Sequence, residues 1–204
     1  ILHYNGSSWS KMTSGTTDNL NGVWGSSNSN VYAVGWYIIL KYDGDVWAYS
    51  GIGEEVNYQT VWGSSANNVF FAGTYGDEIL HYDGMDWTKM SSGGSSGFNT
   101  IESIYGTSGT DAFAVTSQGE VLHYDGSVWS RMADISDNWL SGVWSSSGSD
   151  AYAVGNWGAL YHYNGSIWSE VSSGTEYYSF EAVWGTSAND IFTVGAYGAI
   201  LHYN

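Results

Sequence analysis

The phrase Tyr-[Asn/Asp]-Gly-x-x-Trp occurs five times, at Tyr4–Trp9, Tyr42–Trp47, Tyr82–Trp87, Tyr124–Trp129 and Tyr163–Trp168. A second phrase, Val-Trp-Gly-Ser-Ser or a near variant, starts at Val23, Val61, Ile104, Val143 and Val183. Copies of each phrase are 38 to 43 residues apart. A fixed period of that size marks one supersecondary unit copied in series. Because the repeat fills the 204-residue chain, residues 1–204 are expected to form one domain.

The unit reads as four short strands. Phe180–Gly185 is an apolar segment ending in Gly, suited to a strand buried on both faces. After a polar turn, Ile191–Gly195 is β-branched and aromatic, a second strand. A tight turn at Ala196–Gly198 leads to a third strand at Ala199–Tyr203. Its earlier copies run into Asn-Gly or Asp-Gly, dipeptides that tolerate positive φ at both centres of a hairpin turn. The Trp after that turn, as in Trp9–Met12, opens a fourth, outer strand. No stretch sustains a 3.6-residue apolar period, so no helix is expected.

Four antiparallel strands in ~40 residues is the length of a propeller blade. The expected fold is therefore all-β: a five-bladed β-propeller with four antiparallel strands per blade. The chain opens on Ile1–Asn5 and closes on Ile200–Asn204, both Ile-Leu-His-Tyr-Asn. The last blade is expected to be closed by both termini, with three strands from Phe180–Tyr203 and the fourth from Trp9–Met12. The sixth third-strand copy is then surplus: frayed, added at an edge, or left from a longer array.

Nine of the twelve Trp recur at two positions of the unit. Trp24, Trp62, Trp144 and Trp184 fall on first strands, with Tyr105 in the middle copy. Trp9, Trp47, Trp87, Trp129 and Trp168 follow the hairpin turn. Rings at fixed positions can fill the wedge between stacked blades, each burying on the order of 150–250 Å². His3, His81, His123, His162 and His202 likewise share one third-strand slot, which Lys41 takes in the second copy. Metal ligands must converge within about 2 Å of one ion, which symmetry-related slots on different blades do not do. These histidines therefore read as structural.

Twenty acidic residues face only Lys11, Lys41, Lys89 and Arg131, a formal net charge of −16. That excludes the basic footprint of a nucleic-acid binder and disfavours anionic membranes. No apolar run reaches 18 residues, so no transmembrane helix is expected. Without cysteine the chain has neither disulfides nor thiolate metal sites.

The pattern VWGSSxxDVYAVGxxGxILHYDGxxW resembles β-propeller repeats of secreted or cell-surface bacterial and archaeal proteins. It is loosely similar to Asp-box propellers, although here Asp and Gly are adjacent and the leading Ser is missing. Tachylectin-type lectins are similar in blade number only, and none of their sugar-site motifs is matched. The resemblance implies an extracellular or cell-surface location. Sialidases among Asp-box propellers clamp their substrate with three arginines, whereas this chain has Arg131 alone.

Function in a repeat protein sits where loops vary on one face. Between the second and third strands the copies carry Tyr37, Tyr75, Gln118, Trp157 and Tyr197. Four of these five are aromatic, in a turn where Asn, Asp, Ser or Gly is the ordinary choice. Trp36, Trp139 and Trp157 are the tryptophans that the repeat leaves unexplained. Asn19, Asn57, Asp77, Asn99, Asn138, Asn156 and Glu176 are expected on the same face. The candidate ligand-binding residues are thus Trp36, Tyr37, Tyr75, Asp77, Trp139, Asn156, Trp157 and Tyr197. Aromatic plates beside amides and carboxylates suit a pyranose ring, and repeated weak sites would act by avidity.

The leading expectation is an extracellular, lectin-like module that binds a carbohydrate or glycoprotein. The alternative is a structural or protein-interaction propeller, a segment of a larger surface protein. A third reading is a glycoside hydrolase. It would use Glu102 and Glu181 from the first-strand polar ring Asn21, Gln59, Glu102, Ser141 and Glu181, and would need its carboxylates about 5–10 Å apart. No nucleophile elbow, P-loop, Rossmann glycine pattern, HExxH or EF-hand loop is present, and the expectation is a non-enzyme. No cofactor is expected. Calcium suits so acidic a chain, but no ligand set is identifiable. The oligomeric state is left open.

Overall fold

The computed structural model describes residues 1–52, 56–95, 97, 99–175 and 177–204. It is all-β apart from two three-residue 3₁₀ turns, with six antiparallel sheets of two to four strands. An N-terminal hairpin pairs β1 (Leu2–Tyr4) with β2 (Trp9–Lys11). Four complete sheets follow. The first holds β3 (Leu20–Ser27), β4 (Asn30–Gly35), β5 (Ile38–Tyr42) and β6 (Trp47–Tyr49). The second holds β7 (Tyr58–Ser65), β8 (Asn68–Gly73), β9 (Glu78–Tyr82) and β10 (Trp87–Ser91). The third holds β11 (Ile101–Ser108), β12 (Asp111–Thr116), β13 (Glu120–Tyr124) and β14 (Trp129–Asp134). The fourth holds β15 (Leu140–Ser147), β16 (Asp150–Gly155), β17 (Leu160–Tyr163) and β18 (Trp168–Glu170). A three-stranded sheet of β19 (Phe180–Ser187), β20 (Asp190–Gly195) and β21 (Ile200–Tyr203) ends the series.

The first strands stack in series, β3 on β7, β7 on β11, β11 on β15 and β15 on β19. Among the described residues no comparable packing returns β19 to β3. The expected closure by both termini is therefore corrected: β2 is held by β1, and β21 ends its sheet. The surplus third-strand copy, β1, forms an edge hairpin with β2. The reason is local, since β2 is joined to β1 by a four-residue turn and pairs with it without long-range closure.

That turn is built differently from the expected positive-φ pair. Only its glycine is left-handed, at Gly6, Gly44, Gly84, Gly126 and Gly165. The preceding Asn or Asp accepts two backbone N–H bonds through Oδ1. Asp43 takes them from Asp45 and Val46, both at 2.9 Å, and Asn5, Asp83, Asp125 and Asn164 do the same. These bonds hold the Asp43, Asp83 and Asp125 carboxyls below their ordinary range. The Asn/Asp choice thus follows from the need for an acceptor.

The Trp-Gly phrase is explained by the stacking. The first-strand Trp of one repeat lies over the first-strand Gly of the next. A Cβ on Gly63 would lie 2.8 Å from Trp24 Cη2, one on Gly106 2.7 Å from Trp62 Cη2, and one on Gly185 2.9 Å from Trp144 Cη2. The exception is paired: where the middle repeat has Tyr105 for Trp, the next has buried Ser145 for Gly. Side chain-to-backbone bonds reinforce the stack. The Ile104 N–H donates to Thr60 Oγ1 at 3.2 Å and Asn21 Nδ2 donates to the Tyr58 carbonyl at 2.9 Å.

The nine repeat tryptophans do not all fill wedges, contrary to expectation. Trp62, Trp129 and Trp144 are buried, and Trp24, Trp47, Trp87 and Trp168 are partly buried. Trp9 and Trp184 are largely exposed because each belongs to an end of the series, with no further sheet over it. His81, His123, His162 and His202 are held within their own sheets. His123 Nε2 lies 2.8 Å from Asp111 Oδ1 and its ring packs at a tilt against Phe113, 4.7 Å between centroids. His81, His162 and His202 repeat that arrangement with Asn68, Asp150 and Asp190. Where Lys41 replaces His, Asn30 Oδ1 is buried without a partner, and the ammonium sits 5.4 Å from the Tyr32 ring instead.

If Trp-over-Gly packing sets the stack, Gly63→Ser lowers stability by about 1–3 kcal/mol. Trp24→Tyr in the same chain recovers part of that loss. A double-mutant cycle by denaturant unfolding checks it, and strictly additive effects would contradict the contact.

Candidate functional site

The turns after the second strands and the loops before the first strands emerge on one face. In every repeat the residue that follows the second strand donates its N–H to the loop. Trp36 bonds Asn19 O at 3.1 Å, Thr74 bonds Asn57 O at 3.0 Å, and Ser117 bonds Thr100 O at 2.9 Å. Asn156 bonds Trp139 O at 2.9 Å and Ala196 bonds Ser179 O at 2.8 Å. A further bond links neighbours, from the Gly158 N–H to Tyr178 O at 2.7 Å.

On this face Tyr37, Tyr75, Trp157 and Tyr197 have φ values of 56°, 61°, 59° and 57°. They are the only described non-glycine residues at positive φ, and they occupy one repeat position. A left-handed L-residue with a bulky side chain costs roughly 1–2 kcal/mol. None of the four recovers that by burial: they are 55%, 58%, 67% and 92% exposed. Strain kept at an exposed, recurrent position points to function.

The middle repeat breaks the pattern. Gln118 is not left-handed, and its neighbour Gly119 takes the positive φ instead, at 78°. Asn99, expected on the exposed ring, is buried there and donates to Glu120 Oε2 at 2.5 Å. The buried Glu120 also accepts from Ser95 Oγ at 2.5 Å and from Arg131 Nη1 at 3.2 Å. This network ties Ser95 and Asn99, between β10 and β11, to β13 and β14, and Glu120 gave no signal in the repeat pattern because its slot is variable.

The other expected residues fall as follows. Trp36, Trp139 and Asp77 are exposed on the face, Asn156 is half-buried, and Asn19 and Asn138 are exposed. Asn57 turns inward, its Oδ1 buried without a partner. Glu176 lies outside the described residues. Tyr37 and Tyr75 meet across a small cavity of about 190 Å³ with Asn57, Thr74 and Thr100. Trp157 borders a larger depression with Tyr177 and Thr175, and Tyr178 lies 6.1 Å from Tyr197 ring to ring. Tyr177 and Tyr178 were missed: they lie in a loop without repeat spacing, and the Tyr-Tyr pair beside Glu176 was the available signal.

The first-strand polar ring has a backbone cause. Asn21, Gln59, Glu102, Ser141 and Glu181 are each the unpaired residue of a β-bulge at one register position. Bulges re-aim side chains. Asn21 and Ser141 bond the next repeat's Tyr58 and Phe180 carbonyls. Glu102 has a buried, unpartnered Oε1, and burial pushes its carboxyl up to about 7. Glu181 is exposed and two repeats away, with β15 between, so the two carboxylates are not brought together. Among the described residues no cluster of three or more His, Asp or Glu could hold a metal ion. No described helix is long and apolar enough to cross a membrane, which says nothing of strands.

No protein-family model and no curated protein matches the chain. Solved structures match it closely in shape. The structure titled "YCF48 bound to D1 peptide" aligns at TM-score 0.71 and 13% identity over 97% of this chain. "Structure of U3-55K" aligns at 0.75 and 8% over 93%. The fold is propeller-like. The chain spans 68% of the length of the first and 62% of the second.

Glu102 generates a pH test. A carboxyl raised from 4.5 to about 7 on folding contributes stability that is present below pH 4.5 and lost as pH rises through 7. Glu102→Gln, an uncharged donor like Asn21, is expected to remove that slope. It should raise stability by about 1–3 kcal/mol at pH 8 and leave it little changed at pH 4.5. Chemical denaturation at the two pH values measures it.

Proposed function

We propose that the chain is a protein-interaction module, a five-repeat propeller arc whose aromatic face binds a peptide or protein segment. The observation that carries this is the set of four exposed aromatics held left-handed at one repeat position. Rigid Tyr and Trp plates supply contact area with little side-chain entropy to lose, and such residues dominate protein hot spots. The likeness to YCF48, whose structure is titled as bound to a D1 peptide, supports the same class of ligand. The formal charge of −16 favours partners carrying positive charge. A carbohydrate is the second reading, favoured by the exposure of Trp157 and Tyr197 beside half-buried Asn156, since stacking on a sugar needs an uncovered ring face.

Asn adopts left-handed φ at lower cost, so Asn replacements separate binding from packing. Trp157→Asn/Tyr197→Asn is expected to keep or raise the melting temperature while lowering affinity at least tenfold for ligands recovered from a peptide display library. A glycan array run on the same proteins covers the second reading. A variant that loses stability, or that binds unchanged, would refute the assignment of these rings to binding.

A further inference from the structure

The cavity of about 190 Å³ between Tyr37 and Tyr75 lies where the first three complete sheets adjoin, so its walls come from inside the series. Tyr37 belongs to the turn of the first sheet, and Thr74 and Tyr75 to that of the second. Asn57 and Thr100 enter from the loops that lead into the second and third sheets. The backbone around the cavity is fixed. Asn57 forms an antiparallel bridge with Trp36, and Thr74 forms one with Thr100. The Asn57 N–H donates to Thr74 Oγ1 at 3.2 Å, and the Thr74 N–H returns a bond to Asn57 O at 3.0 Å. The Thr100 N–H donates to Ser117 Oγ at 2.9 Å.

The chemistry of the cavity is one-sided. Asn57 Oδ1 is buried without a donor, a state that folded chains rarely keep without a reason. Tyr37 and Tyr75 are exposed, and the faces of their rings carry negative partial charge. Two exposed carboxylates stand in the same loop and turn. Asp18 precedes Asn19, whose carbonyl holds the Trp36 N–H, and Asp77 follows Tyr75 by two residues. Between Lys11 and Lys89 the only basic residue in the sequence is Lys41. Its ammonium is placed elsewhere, 5.4 Å from the Tyr32 ring and 5.5 Å from the Tyr82 ring. Acceptors, ring faces and negative charge are thus collected at a site that holds no cation of its own.

We propose that this cavity takes the ammonium of a lysine side chain on the ligand, seated between the two tyrosine rings with Asn57 Oδ1 as its acceptor. The inference rests on the reading of this face as a peptide-binding surface. A ring face attracts a cation within about 6 Å of its centroid, and here two rings border one cavity. Rotation of the Asn57 amide about its soft terminal torsion brings the oxygen to the donor it lacks. Lysine suits the lining better than arginine does. An ammonium is compact and has three donors, whereas a guanidinium is a planar fork matched to a carboxylate. The lining offers amide and hydroxyl oxygens and no carboxylate. Its volume is below the roughly 300–1,000 Å³ of sites for drug-sized molecules, and suits the end of one side chain.

Nuclear magnetic resonance titration of the chain with Nα-acetyl-lysine-N-methylamide tests this. The control is the Nε-acetylated compound, which has lost the charge. Millimolar binding is expected, with shifts at the Tyr37, Asn57, Thr74 and Tyr75 amides and none from the control. Tyr37→Asn/Tyr75→Asn keeps the left-handed turns at low cost and should weaken binding about tenfold or more. Asn57→Asp should strengthen it severalfold through the added negative charge, whereas a purely structural role for Asn57 predicts a loss. Should Asn57→Asp fail to fold, the tyrosine variant decides alone. Equal shifts from both compounds, or unchanged binding in the tyrosine variant, would overturn the proposal. Display-library peptides separate it from the reading on which it rests. Peptides that bind this face and are insensitive to lysine acetylation overturn the lysine pocket and leave the peptide reading standing. A lysine-probe response at these amides when no peptide binds keeps the ammonium site and removes the peptide reading.

Discussion

The stacking of an indole on a glycine carries the structure. Trp24, Trp62 and Trp144 each reach across to a Gly of the next first strand, at a distance that leaves no room for a Cβ. Spacing between sheets is set at that contact, and the bulge and the inter-repeat hydrogen bonds are arranged around it. A large flat side chain and a missing one form a single unit split across two repeats. The joint change to Tyr105 and Ser145 shows the two halves varying together within one chain.

Such a unit is satisfied only inside the series. Apart from the Tyr105–Ser145 pair, each sheet offers a Trp forward and a Gly backward, so a finite open stack leaves one of each exposed. This explains why identical residue types are buried at Trp62 and exposed at Trp184. Position along the array decides burial, and no reading of local hydropathy can.

The strands, their order and their period were legible in the sequence because every local signal agreed with its neighbours: alternation, β-branched runs and turn dipeptides. The histidine slot was legible for the same reason. Two kinds of feature were not. Closure of the last sheet is a long-range event that the period cannot express, and the hairpin formed instead by proximity. The turn at Asp43 and its copies gave its residues but not their mechanism, since Asp supports positive φ and Asx bonding equally well. In the site, the recurring aromatics were visible as departures from turn chemistry, while Glu120, Tyr177 and Tyr178 lie where the copies differ and nothing marks one variable residue above another.

The buried Glu120 network has a consequence for valency. It occupies the third of the five repeats and substitutes a polar clamp for the aromatic its neighbours display. The face is thereby divided into two plates, Tyr37 with Tyr75 on one side and Trp157 with Tyr197 on the other. A ligand that engages both must bridge a gap of one repeat. On the proposed reading of this face as a peptide-binding surface, it would select by the distance between two sticky points on its ligand, as a caliper does, and a short ligand that fills one plate would gain nothing from the other.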